Sequence, residues 1–222
     1  MPSSTTQRLE AFSDGVIAIA ITLLVLNIKV PNARAGTLLH SLADQWPSYV
    51  AFVLSFVVIG IMWVSHHSMF ERIAQVDRGL LFVNLALLLG IGFLPFPTSL
   101  LAKYVQDGGS DAHIAAAVYS ATMALIGLAF VELCRHLIRH PNLLVKGIEP
   151  SLLRRSLKRS LVSPIVYGAS IGLAFFSAAA CFVVYALVAI YFAWGPSSRI
   201  LHLGSHTPAP APAPPKARTQ KK

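Results

Sequence analysis

Residues 8–30 read R-L-E-A-F-S-D-G-V-I-A-I-A-I-T-L-L-V-L-N-I-K-V, and this stretch decides the fold. Positions 15–26 carry no charge, while Arg8, Glu10, Ser13 and Asp14 introduce them and Asn27, Lys29 and Pro31 close them. A helix over residues 12–30 rises roughly 28 Å, close to the hydrocarbon thickness of a bilayer. The stretch is therefore predicted to span a membrane. An aspartate in its first turns is costly in hydrocarbon and marks a site or a helix-packing partner. At about 100° per residue, with Asp14 at zero, Ile19, Leu23 and Leu26 fall at about 140°, 180° and 120°. The carboxylate and the branched stripe look in different directions. One can meet neighbouring helices while the other meets a partner subunit, lipid or a pore.

The rest of the chain has the same character. Of its 222 residues 55% are hydrophobic and only 12% charged, which leaves too little polar surface for a water-soluble globule. It reads as an all-α, polytopic integral membrane protein. Cys134 and Cys181 lie in apolar runs and read as small buried hydrophobes, with no disulfide framework or zinc site. The net charge of +9 does not point to nucleic acid, because the basic residues crowd beside apolar spans without a nucleic-acid motif. Arg8 and the small residues Ala33 and Ala35 resemble signal-peptide flanks. Glu10 and Asp14 stand where such a peptide is basic, so cleavage is not expected.

Outward from the first span, residues 31–46 form a polar connection with an amphipathic patch at 38–42. Pro47 opens a second apolar run, about 49–70, which ends among Trp63, Ser65, His66, His67 and Phe70. After the charged turn of Glu71, Arg72, Asp77 and Arg78, a third run over 80–101 holds Asn84 deep inside. Pro95 and Pro97 are expected to kink or end its helix. Residues 103–111 form an exposed loop. A fourth run, about 114–135, ends among Glu132, Arg135, His136 and Arg139. His136 and His140 have the i, i+4 spacing of a metal pair, but Glu132 reads as an end-of-helix acid beside Arg135 at i+3 and Cys134 as a buried hydrophobe, so no ligand partner is visible nearby. No metal centre is expected there. The basic block Arg154, Arg155, Lys158 and Arg159 precedes residues 161–194, a 34-residue run that would be roughly 50 Å long as one helix. Two short spans, about 161–177 and 179–194, are expected, with the break near 177–180.

Six spans with both ends cytoplasmic leave only Lys29, Arg34 and Lys103 outside, a bias that fits the positive-inside rule. The first 195 residues then form one six-helix membrane domain. The alternating Ala and Pro of residues 208–215 make 196–222 an expected disordered, basic cytoplasmic tail.

No catalytic constellation emerges: there is no H-E-x-x-H, Walker loop, G-x-S-x-G or paired carboxylates on one helix face, and no T-V-G-Y-G filter. No enzyme is expected. What remains at membrane depth is Ser13, Asp14, His66, His67 and Asn84. The two histidines read by themselves as end-of-helix polar residues whose rings can titrate near neutrality.

The R-x-x-x-F-S-D pattern of Arg8, Phe12, Ser13 and Asp14, followed directly by an apolar span, resembles the signature of prokaryotic members of the lysosomal potassium channel family (transmembrane protein 175). The W-x-x-H-H-x-x-F run of Trp63 to Phe70, Asn84, and the F-L-P-F-P-T run of Phe93 to Thr98 are similar to that family's second and third helices. The resemblance implies a homotetramer of six-helix subunits in the cell membrane, whose first helices surround one central potassium pathway. It implies that Ile19, Leu23 and Leu26 form the constriction and that Thr22 matches a threonine linked to selectivity. Arg8, Phe12, Ser13 and Asp14 would brace the first helix, with His66 and Asn84 as partners. Relatives often carry an acid where this chain has Asn27. No cofactor beyond the permeant potassium ion is implied. Two other readings stand beside the channel. One is a proton-coupled secondary transporter, with Asp14, His66 and His67 carrying protons; the other is a non-conducting membrane scaffold.

Overall fold

Apolar stretches of the lengths just read become helices because a chain in lipid must satisfy every backbone N–H and C=O within itself. The structure is a computed structural model and describes residues 4–104 and 108–194; the expected tail lies outside the described residues. The helices are α1 (Ser4–Leu23), α2 (Leu38–Ala43), α3 (Trp46–Phe70), α4 (Arg78–Phe93), α5 (Pro95–Tyr104), α6 (Gly109–Arg139), α7 (Pro150–Ala174) and α8 (Ala178–Ala193). Four stretches, Thr5–Asn27, Trp46–Phe70, Arg78–Tyr104 and Gly109–Arg139, are long and apolar enough to cross a membrane by themselves. The α8 helix is apolar but shorter, and α7 carries its basic block in its first half.

The element ends have local causes. The first helix starts at Ser4 and tightens after Leu23 into a 3₁₀ turn over Leu24–Asn27, so it stops short of Val30. There the Asn27 amide donates to the Pro95 carbonyl at 3.2 Å, and Ile28 takes up extended backbone. Proline opens α3 and α7 in their first turns, where its missing N–H is no loss. The expected break at Pro95 is present: α4 ends at Phe93 and α5 begins at Pro95. With Thr98 donating to the Leu94 carbonyl at 2.9 Å, Ser55 of α3 donates to Thr98 at 2.9 Å, which ties the break to its neighbour. The α7 helix begins well before residue 161, because the basic block lies on it. Arg159 donates to the Phe192 carbonyl and covers the Tyr191 and Phe192 rings, so its stem packs while its charge stays at the helix flank. The last apolar run divides at residues 175–177, where Ser177 caps α8 by accepting from the Ala180 amide.

The α6 helix is central: it packs on α4, α5, α7 and α8, and its pairing with α7 is the most extensive in the molecule. That closeness requires Gly127, since a Cβ there would lie 2.8 Å from Pro164 Cδ and 2.9 Å from its backbone nitrogen. The α1 helix sits at the edge, against α3 and α4. At the end of the bundle where α3 meets α4, residues 73 and 144 form an antiparallel bridge, and the Val145 amide donates to the Arg72 carbonyl. Asp77 caps α4 there, accepting from the Leu80 amide at 2.7 Å. Partial burial pushes the Asp77 carboxyl up, but the Leu80 amide and His136 outweigh it and hold it below the usual range.

Candidate functional site

The first helix has two unlike sides. Leu9, Ser13, Ile17, Ala20 and Leu24 are buried and recur at helical spacing, fixing one side against α3 and α4. The opposite side is left uncovered by the other described residues. On it lie Arg8, Phe12, Ile19, Thr22, Leu23 and Leu26, with Ile19 60% and Leu26 69% exposed. The branched stripe is straighter than a uniform helix makes it. Because residues 24–27 wind as 3₁₀, where positions i and i+3 eclipse, Leu26 lies over Leu23 instead of 60° from it. Thr22 donates its hydroxyl proton to the Ile19 carbonyl at 2.9 Å. Its oxygen keeps its lone pairs as acceptors on an exposed side chain.

On the buried side, three of the polar residues picked out in sequence meet. His66 Nε2–H donates to Asn84 Oδ1 at 2.9 Å, the Asn84 amide donates to Ser13 Oγ at 2.9 Å, and Ser13 donates to the Leu9 carbonyl at 2.8 Å. This directed chain joins α3, α4 and α1, and all three side chains are fully buried. It fixes His66 as the tautomer protonated at Nε2, leaving Nδ1 without a partner, with the ring stacked on Phe70 at 4.1 Å.

The remaining members of the expected brace go elsewhere. Asp14 is partly exposed and accepts from Trp63 Nε1 at 2.9 Å, not from Arg8, Ser13, His66 or Asn84. One turn earlier Glu10 pairs with His67 at 2.9 Å, and the Trp63 and His67 rings stack at 5.8 Å. Arg8 and Phe12 are exposed and do not enter this buried chain. Sequence reasoning missed Trp63 and Glu10 as the working pair beside Asp14 and His67, although their spacings, 10/14 on one helix and 63/67 on the other, match turn for turn. It also missed Asp77. Its carboxylate lies 2.9 Å from His136 Nε2 across 59 residues of chain, so the acid that joins His136 and His140 comes from far along the sequence and is not the nearby Glu132.

Known proteins resemble this chain over most of its length. The sequence pattern of the family described as Endosomal/lysosomal potassium channel TMEM175 matches residues 8–95. A potassium channel of Streptomyces collinus is 47% identical over 186 residues, covering 83% of this chain and 90% of the relative. A potassium channel of Chamaesiphon minutus is 40% identical over 193 residues, 86% and 94% of the two chains. The crystal structure of a lysosomal potassium-selective channel TMEM175 homolog from Chamaesiphon minutus superposes with a TM-score of 0.77 at 39% identity, covering 86% of this chain and 97% of that one.

Proposed function

This chain belongs to the endosomal/lysosomal potassium channel TMEM175 family, and from that premise we propose that it conducts potassium across a membrane through a pore built on α1. Four copies assemble as a homotetramer with their first helices around a common axis. Each copy has six spans, α7 and α8 supplying the last two, and both termini lie in the cytoplasm. The observation that carries the reading is the division of α1: one side is anchored to α3 and α4 by packing and by the Ser13–Asn84–His66 chain. The side with Ile19, Thr22, Leu23 and Leu26 is free to line a pathway. An apolar ring excludes ions when it is too narrow to stay wet, so Ile19, Leu23 and Leu26 set the constriction. The acceptor lone pairs of Thr22 suit a partly dehydrated cation. Arg8 and Phe12, on the same face, meet neighbouring subunits. Asn27 is spent on the Pro95 carbonyl and adds no negative charge at the outer mouth.

The purified full chain in liposomes under a potassium gradient tests this. Current that grows with driving force without saturating turnover is expected. Saturating exchange instead indicates a secondary transporter, and silence indicates a scaffold; either result overturns the channel reading.

A further inference from the structure

The pairing of the α3–α4 and α6–α7 connections has a second consequence, away from the pathway. It sets the capping Asp77 of α4 against the last turn of α6. There one atom each of Asp77, His136 and His140 lies within 4.8 Å of the others. We propose that these three side chains form a binding site for a divalent transition-metal ion of the zinc type.

The donor set and its geometry argue for this. Two imidazoles and one carboxylate suit zinc, nickel or cobalt and disfavour magnesium or calcium, which take oxygen. A tetrahedral ion with bonds of about 2.0–2.1 Å holds its ligand atoms about 3.3 Å apart. His136 Nε2 stands 2.9 and 3.1 Å from the two Asp77 oxygens; an ion replaces the proton of that hydrogen bond, with the carboxylate swinging aside and the three ligand atoms, now within 4.8 Å of one another, closing around it. The independent sign is at His140. Its Nδ1–H donates to the His136 carbonyl at 3.0 Å, which leaves Nε2 with a free lone pair; an outer hydrogen bond of this kind orients metal-binding histidines. The rings of His136 and His140 stack at 4.3 Å, and His136 is held in place over Gly79, where a Cβ would collide with its ring. Three protein ligands leave a fourth position for water. A bound ion pins the start of α4 to the end of α6.

Cobalt(II) titration of the purified full chain, followed by visible absorption and then by zinc competition, tests the site. A His202→Ala/His206→Ala background removes the two imidazoles of residues 195–222. One cobalt per chain with the intense bands of a low-coordinate site is expected in that background. His140→Ala keeps the Asp77–His136 hydrogen bond and is expected to weaken binding by at least about tenfold, since even loss of an outer partner costs that much. Asp77→Asn, which preserves the helix cap, is expected to weaken it similarly. Absence of saturable binding, binding indifferent to His140→Ala and Asp77→Asn, or binding lost with the two tail histidines overturns the proposal. None of these outcomes depends on whether the chain conducts.

Discussion

Asn84 serves two buried neighbours at once because its amide has unlike ends: the oxygen accepts from His66 while the nitrogen donates to Ser13. Truncating it strands the Nε2–H of His66 and takes the donor away from Ser13, which keeps only its bond to the Leu9 carbonyl, in a fully buried site. Asn84→Ala is therefore expected to destabilise the subunit by about 1–3 kcal/mol, although average polar contacts between membrane helices contribute only about 0.6 kcal/mol. Once Asn84 is gone, removing Ser13 has little left to break. The double variant Ser13→Ala/Asn84→Ala should lie about 0.5–3 kcal/mol below the sum of the single changes, read from unfolding in detergent. Additive losses would mean that the three residues do not act as one chain. The sequence showed that Ser13 and Asn84 are polar at depth, but it lumped Asp14 with them. The helical step explains the error: neighbours on a helix point about 100° apart, so Ser13 faces α4 from the buried side while Asp14 lies at its margin, within reach of Trp63. Which partner waits there depends on where α3 passes, and no residue count gives that.

At the scale of the element, α1 works as a two-sided rod, and its sides should fail differently. Ile19→Asn or Leu23→Asn places an amide on the uncovered side. Such a ring holds water, so a larger leak and weaker discrimination between potassium and sodium are expected, with folding little changed. Leu24 is fully buried on the other side, so Leu24→Asn should cost about 2–5 kcal/mol of stability, as for large core truncations. Reversal potentials under opposed potassium and sodium gradients, with unfolding midpoints alongside, separate the two effects. Selectivity and current left untouched by the Ile19 and Leu23 changes would remove this face from the pathway. The α6–α7 pair makes a second element-level test. Gly127→Ala pushes a methyl into the Pro164 backbone, which cannot yield without moving α7; a loss of about 1–3 kcal/mol is expected. Gly92 has open space around it, and Gly92→Ala should be neutral or stabilising by up to about 1 kcal/mol. Equal responses at the two glycines would argue against close packing at Gly127. The apolar runs and the Pro95 break were legible because they follow from hydropathy and a missing N–H. The early start of α7 was not, since its first turns keep the same 3.6-residue period under basic side chains, and a search for apolar length passes over them.

For the whole molecule, the proposed assembly of four chains needs a contact to hold it, and exposed leucine is no answer. Lipid is as apolar as leucine, so an uncovered apolar face in a membrane has no need of a protein partner. Small residues are different, because they let backbones approach closely and gain contact that lipid cannot match. Beside the branched stripe, the uncovered side of α1 carries Ala11, Gly15, Ala18 and Thr22, spaced by four, three and four. With about 100° per residue they fall within some 60° of arc, a narrow seam along the helix. A Cβ at Gly15 meets nothing within 4 Å among the described residues of its own subunit. Gly15→Leu then tests assembly through the mass of the particle and not through flux alone, because Gly15 stands within about 20° of Thr22 on the helix. It raises helix propensity by somewhat under 1 kcal/mol and leaves the buried side untouched, so the subunit should fold with unchanged helix content. If first helices pack around the axis through this seam, the added side chain holds them apart. Mass measured in detergent or native membranes should then shift from four chains towards one, with loss of potassium flux. A Gly15→Leu chain that still assembles as four and conducts would show that the subunits meet elsewhere, and that the small residues of α1 are not what closes the ring.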